Sequence, residues 1–261
     1  MYRPTLSTFW DIFGLWGGYF MAEKDSISIT KPCIEKCIKW FDKNYEKEEG
    51  ILDYLIKKYP QNSDIYEVFI KVNAINTLYN AGLSNLLPRK NSCNFELCKK
   101  DLSETEKQSA VDIYIMSERI ISNEKLDVWM KSSSKEDLIK AVYYIATGSE
   151  AVNIEYESPI KRYFSFASKY CAWHKPEIFP ITDRFSRGMI YYSLRNGFNC
   201  KCVDKVTQRQ LYSYVDYYDI YEKFQGFINE IMIKGGGEKL NKRQIDKYLW
   251  VYGKHNDISY D

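Results

Sequence analysis

The chain has 261 residues, with 37 lysines and arginines against 35 aspartates and glutamates, a formal net charge of +2. That balance excludes a histone-like coat of positive charge but leaves room for a local basic stripe. The 45% of apolar residues suffices for a sizeable core and excludes wholesale disorder, while two histidines, His174 and His255, exclude a histidine-rich metal site.

In chain order, residues 1–30 read as an aromatic N-terminal arm or cap, and residues 31–261 as one helical domain. Cys33, Ile34, Cys37, Ile38 and Phe41 recur at the spacing of an amphipathic helix, with Pro32 in its first turn. Ile51, Leu52, Leu55 and Ile56 predict a second, short helix stopped near Pro60. Ser63 and Asp64 are placed to cap a third, with Val68, Ile70, Val72, Ile75 and Leu78 along it and Gly82 at its end. After a polar stretch from Pro88 to Asp101 comes a helix carrying Val111, Ile113, Ile115, Met116, Ile120 and Ile121. Another, capped by Ser134, runs through Leu138, Ile139, Val142 and Ile145 and is closed by Gly148.

Beyond a linker containing Pro159, a helix is predicted over Tyr163–His174, followed by a turn at Lys175–Pro176 and an extended piece over Ile178–Ile181. A new helix opens at Thr182 and Asp183. Val215–Ile233 is a long helix stopped by Gly235, Gly236 and Gly237, and Ile245–Tyr252 a short last one. With no convincing strand pattern and no repeat, the fold class is all-α.

The longest apolar stretch, Thr8–Met21, is interrupted by Asp11 and three glycines and falls short of the roughly 20 residues that span a bilayer. No secretory signal pattern is evident, and seven cysteines without CxxC spacing read as reduced thiols. A cytoplasmic protein with neither membrane association, metal nor cofactor is expected.

Ser158–Arg187 carries the chemistry. Lys161, Arg162, Lys169, Lys175, Arg184 and Arg187 crowd there among Tyr163, Phe164, Phe166, Tyr170, Trp173 and Phe185, with only Glu177 and Asp183 opposing them. Such cations neutralise phosphates, and Ser165 and Ser168 add neutral phosphate contacts. Asp183 opens its helix, where a carboxylate gains from the partial positive charge of the N-terminus. An ordinary amphipathic helix with a helix cap explains the same residues without any ligand.

The run SFASKYCAWHKPEIFPITDRF, Ser165–Phe185, resembles the core of the helix-hairpin-helix DNA glycosylase superfamily. More closely, it resembles a bacterial branch of 8-oxoguanine-glycosylase-like proteins. Lys71–Leu83 and Ile245–Lys254 look like further blocks of that branch. The resemblance implies a helix-hairpin-helix core near residues 150–200 in a helical bundle, possible as two packed lobes. It implies DNA as partner, Lys169 as the catalytic lysine with Lys161 as the other candidate, and Asp183 as the catalytic aspartate. Lys161, Arg162, Ser165, Ser168, Arg184 and Arg187 are the expected DNA contacts, and Tyr163, Trp173, His174 and Phe185 the lining of a pocket for a flipped base. A carboxylate beside C1′ stabilises the positive charge of the sugar as the base leaves, and an amine attacking C1′ forms a Schiff base. The alternatives are a non-catalytic helix-hairpin-helix module that binds nucleic acid, and a defence or toxin effector.

Overall fold

The computed structural model describes residues 29–79, 81, 83, 104–152, 163–195 and 206–256. Most of the expected N-terminal arm, and residues 153–162 of the expected helix-hairpin-helix core with Lys161 and Arg162 among them, lie outside these residues.

The protein is all-α, and its described residues form ten helices and no strand. They are α1 (Lys31–Lys58), α2 (Ile65–Tyr79), α3 (Glu104–Ile121), α4 (Leu126–Lys131), α5 (Lys135–Thr147), α6 (Phe164–His174), α7 (Arg184–Arg195), α8 (Gln208–Tyr212), α9 (Tyr214–Lys234) and α10 (Lys242–His255). None is long and apolar enough to cross a membrane.

Local chemistry sets the boundaries. Asp64 accepts the backbone N–H groups of Tyr66 and Glu67 at 2.8 and 3.1 Å, the cap expected for α2. Gly148 ends α5 in the left-handed region at φ 78°, where a side chain is strained. The expected break between the first two helices is present as a kink inside α1: Tyr45 leaves helical angles (φ −121°, ψ 15°), so two helices join there, and the second begins before Ile51. One expectation is corrected. The last helix extends beyond Ile245–Tyr252 at both ends, because Asn241 and Gln244 form a capping box one turn earlier. The short α4 and α8 were not anticipated; α8 opens on a capping box from Thr207 and Gln210.

α6 is the pivot. It packs on α2, α5 and α1, and Phe164, Phe166, Ala167, Ser168, Lys169, Tyr170, Cys171 and Ala172 are all buried. A helix buried on every side belongs to the interior, so Lys169 is a cation in the core. α10 lies across α1 and α7, closing the bundle over the far end of α6.

Candidate functional site

The extended arm after α6 is fixed from two sides. Three tyrosines of α9 donate hydroxyl hydrogen bonds to its carbonyls: Tyr218 to Ile178 at 3.4 Å, Tyr214 to Pro180 at 3.0 Å and Tyr217 to Ile181 at 2.7 Å. From α6, Ser168 Oγ accepts the N–H of Thr182 at 3.0 Å. The arm therefore delivers Asp183 to a defined place. There Asp183 caps α7, its Oδ1 accepting the N–H groups of Phe185 and Ser186 at 3.0 and 2.9 Å, while Ser186 Oγ accepts the N–H of Asp183 at 2.8 Å.

The other oxygen, Oδ2, lies 3.5 Å from Lys169 Nζ. Amine and acid are thus brought together, 5% and 7% exposed. Lys169 also donates to Ser165 Oγ at 3.3 Å, one turn back on α6. Lys169 is the sixth residue of α6 and so lies mid-helix.

A second group of ions stands beside this pair. On α10, Arg243 Nη1 donates to Asp246 Oδ2 at 3.0 Å, and Nη2 pairs with Glu49 of α1 and the hydroxyl of Tyr79 of α2. Lys247 bridges Glu49 at 2.5 Å and the half-exposed Asp42 at 2.6 Å. The Arg243 guanidinium lies 4.8 Å from the Trp173 ring centre. Three cations (Lys169, Arg243, Lys247) thus stand with four carboxylates (Asp183, Asp246, Glu49 and the half-exposed Asp42), drawn from α1, α6, the cap of α7 and α10. Burial pushes the Asp246 carboxyl up to about 7, opposed by Arg243 and reinforced by Asp183. Neither Arg243, Asp246 nor Glu49 was anticipated. Ions at i, i+3 and i+4 on a helix read as a solvated face, and no local signal announces a partner 194 residues away.

The remaining candidates divide. Ser168 is corrected from phosphate contact to internal clasp: it is fully buried, and its hydroxyl is committed to Thr182 and the Ser165 carbonyl. Arg184 is exposed, its guanidinium 4.6 Å from the Phe185 ring centre. Arg187 donates to Thr182 Oγ1 at 3.4 Å and covers the Tyr212 ring at 4.5 Å. The four pocket candidates are not gathered into one wall. Phe185 sits edge-on to Trp250, and Trp173 lies under Arg243. Tyr163 caps α6, with its N–H on the Ala146 carbonyl at 3.1 Å.

His174 lies tilted against Tyr170, ring centres 5.1 Å apart, and its buried Nε2 has no hydrogen-bond partner. Burial, then Lys71 and Lys131, hold its imidazole down at about 3. The unfolded chain takes up a proton near pH 6.5 that the fold refuses, so His174 favours the fold above pH 6.5 and penalises it as pH falls toward 3. We expect His174→Phe to relieve about 2 kcal/mol of acid destabilisation on going from pH 7.5 to 5, read from urea midpoints of both proteins. Parallel losses in the two proteins sink this assignment.

Among the described residues no group of three or more histidine, cysteine or acidic side chains is arranged to hold a metal. Cys33 and Cys37 share a face of α1 as their spacing predicts, and both are free thiols, as is Cys171.

A family model described as HI_0787_N, N-terminal domain, matches residues 32–178, more than half of the chain. The chain belongs to the HI_0787_N family. The matched stretch runs from α1 through α6 and includes Lys169, and it stops just short of Asp183. The chain is also similar to a Haemophilus influenzae (strain ATCC 51907 / DSM 11121 / KW20 / Rd) protein described as "Uncharacterized protein". The two are 28% identical over 145 residues, or 54% of this chain and 57% of the relative. The match thus spans little more than half of the relative's length. No solved structure matches.

Proposed function

We propose that this HI_0787_N family member is a cytoplasmic DNA glycosylase that excises a damaged or modified base, with Lys169 and Asp183 as its working pair, in repair or in defence against phage. The observation that carries the reading is the 3.5 Å approach of Lys169 Nζ to Asp183 Oδ2 at the end of a pinned arm. Residues of the block that resembles glycosylases thereby meet in the interior, where an ion pair costs desolvation and is not needed for a helix cap.

In this reading the neutral Lys169 amine adds to C1′ of the flipped nucleotide. The bond from C1′ to the base nitrogen breaks, and the base departs with the electron pair and takes a proton. Asp183, fixed through its two backbone hydrogen bonds, faces the positive charge that builds on the sugar. Loss of the amine proton and opening of the sugar ring then give a protonated Schiff base on Lys169. Arg184 and Arg187 are the cations toward backbone phosphates, so binding weakens as salt rises.

A second reading is a helical module that binds nucleic acid without chemistry. It is favoured by the commitment of Asp183 Oδ1 to capping α7.

One experiment separates them. Single- and double-stranded DNA carrying uracil, oxidised purines, hydroxymethylated pyrimidines or abasic sites is incubated with the protein under borohydride. The expected result is a covalent adduct on at least one substrate, mapped to Lys169 and lost in Lys169→Gln. Base release without an adduct makes the enzyme a hydrolase that uses water. An adduct on Lys161 moves the lysine assignment, and DNA binding with neither release nor adduct favours the second reading.

A further inference from the structure

We propose that a row of aromatic rings starting at Phe185, beside the Lys169–Asp183 pair, is a stacking platform for single-stranded DNA, with Arg184 and Lys254 as its phosphate contacts. The inference deepens the glycosylase reading by naming the strandedness of its substrate, and rests on that reading for DNA and for the chemistry.

The row begins at the site itself, since the Phe185 N–H donates to Asp183 Oδ1 at 3.0 Å. The Phe185 ring meets Trp250 of α10 at 6.3 Å, with the planes 79° apart. Trp250 meets Tyr45 of α1 at 5.3 Å and 84°, and Tyr45 meets Trp40 at 6.3 Å and 56°. The buried Phe41 stacks on Tyr45 at 4.8 Å and stands edge-on to Trp250 at 5.7 Å, which fixes the row to α1. Phe185, Trp250, Tyr45 and Trp40 are themselves only partly buried. In an edge-on pair one ring gives up only its rim, so its faces are left for another π-system.

Cations lie over two of these rings. The Arg184 guanidinium is 4.6 Å from the Phe185 ring centre, and Lys254 Nζ is 4.3 Å from that of Trp250. Both residues are exposed. Burial, then the charge of Arg184, lower the Lys254 ammonium from its ordinary value, as expected for like charges on neighbouring rings. A phosphate between the two relieves that repulsion, and a base then stacks on the ring face that a cation leaves. Bases in a duplex stack on one another, so only an unpaired strand offers its faces to protein rings.

The probe is a fluorescein-labelled thymidine oligomer. It is compared with its duplex and with an abasic-spacer oligomer that keeps the phosphates and lacks the bases. Anisotropy titrations of the whole chain are expected to show the single strand bound about tenfold more tightly than either control. Phe185→Leu and Trp250→Leu each weaken thymidine binding by about tenfold and leave spacer binding unchanged. Arg184→Gln and Lys254→Gln each lower the salt slope by about 0.7. If Trp250→Leu does not fold, because Phe41 and Tyr45 pack on it, Phe185→Leu and the wild-type preference for bases over spacers decide.

Duplex bound as tightly as the single strand overturns the platform, as do ring variants that lose spacer and thymidine binding equally. Polyglutamate displacing the probe as well as unlabelled thymidine oligomer also overturns it, in favour of a surface for acidic chains. Base-dependent binding through these rings, with no adduct or base release on any substrate, sinks the glycosylase reading and leaves the platform. An adduct formed on duplex and undiminished in Phe185→Leu and Trp250→Leu keeps the enzyme and sinks the platform.

Discussion

Asparagine at position 183 is expected to cut base release by about 10²–10³-fold, the loss that follows removal of one preorganised group facing transition-state charge. The substitution is informative because asparagine caps helices as well as aspartate does. Its side-chain oxygen keeps the hydrogen bonds from Phe185 and Ser186, and Ser186 still accepts the N–H of residue 183. What disappears is the charge opposite Lys169.

Asp183→Ala differs, since it also loses the cap, worth about 1 kcal/mol. The comparison therefore separates scaffold from chemistry: the two variants differ in melting temperature and agree in lost release. Single-turnover release on the responsive substrate, with binding measured in parallel, makes the check. An asparagine variant that releases base within tenfold of wild type removes Asp183 from the reaction.

How far such residues were legible varies with how local their signals are. The end of α5 is written in Gly148 and the stop of α9 in three consecutive glycines, because breakers act over one turn; Ser134 stands at the start of α5 as expected but makes no side-chain capping hydrogen bond. The arm between Pro176 and Asp183 was legible for the same reason, as proline forbids helix in the residue before it. What held the arm was not: Tyr214, Tyr217 and Tyr218 follow helical spacing like any apolar stripe, and only the packing of α9 shows their hydroxyls meeting three carbonyls. The Arg243–Asp246–Glu49 group escaped for a deeper reason. Its members look like surface charge on two separate helices, and their burial depends on how α10 crosses α1. Lys71 is the opposite case. It occupies the apolar stripe of Val68, Val72 and Ile75, at the i+3 position where a core residue belongs, and that misplacement was a signal in plain view.

Lys71→Met is accordingly expected to destabilise the protein by about 3–5 kcal/mol, more than a typical core substitution. The Lys71 ammonium donates to the Tyr59 carbonyl at 2.9 Å, the Gln61 carbonyl at 2.7 Å and Asn62 Oδ1 at 2.8 Å, and it lies 5.8 Å from the Tyr170 ring centre. Methionine fills much the same volume, so no cavity explains a loss. The cost is the acceptors left without a donor. It extends further because Asn62 is a junction: it accepts the Tyr170 hydroxyl at 2.5 Å and donates to Asp127 on α4 at 2.6 Å. Loosening it frees the turn between α1 and α2 and the flank of α6 that carries Lys169. Replacing both an ion and its partners with apolar groups is often neutral, but here two of the three acceptors are backbone carbonyls that no mutation removes. Urea unfolding at pH 7 supplies the measurement, and a shift below 1 kcal/mol shows that water relieves these carbonyls and that Lys71 is dispensable to the core.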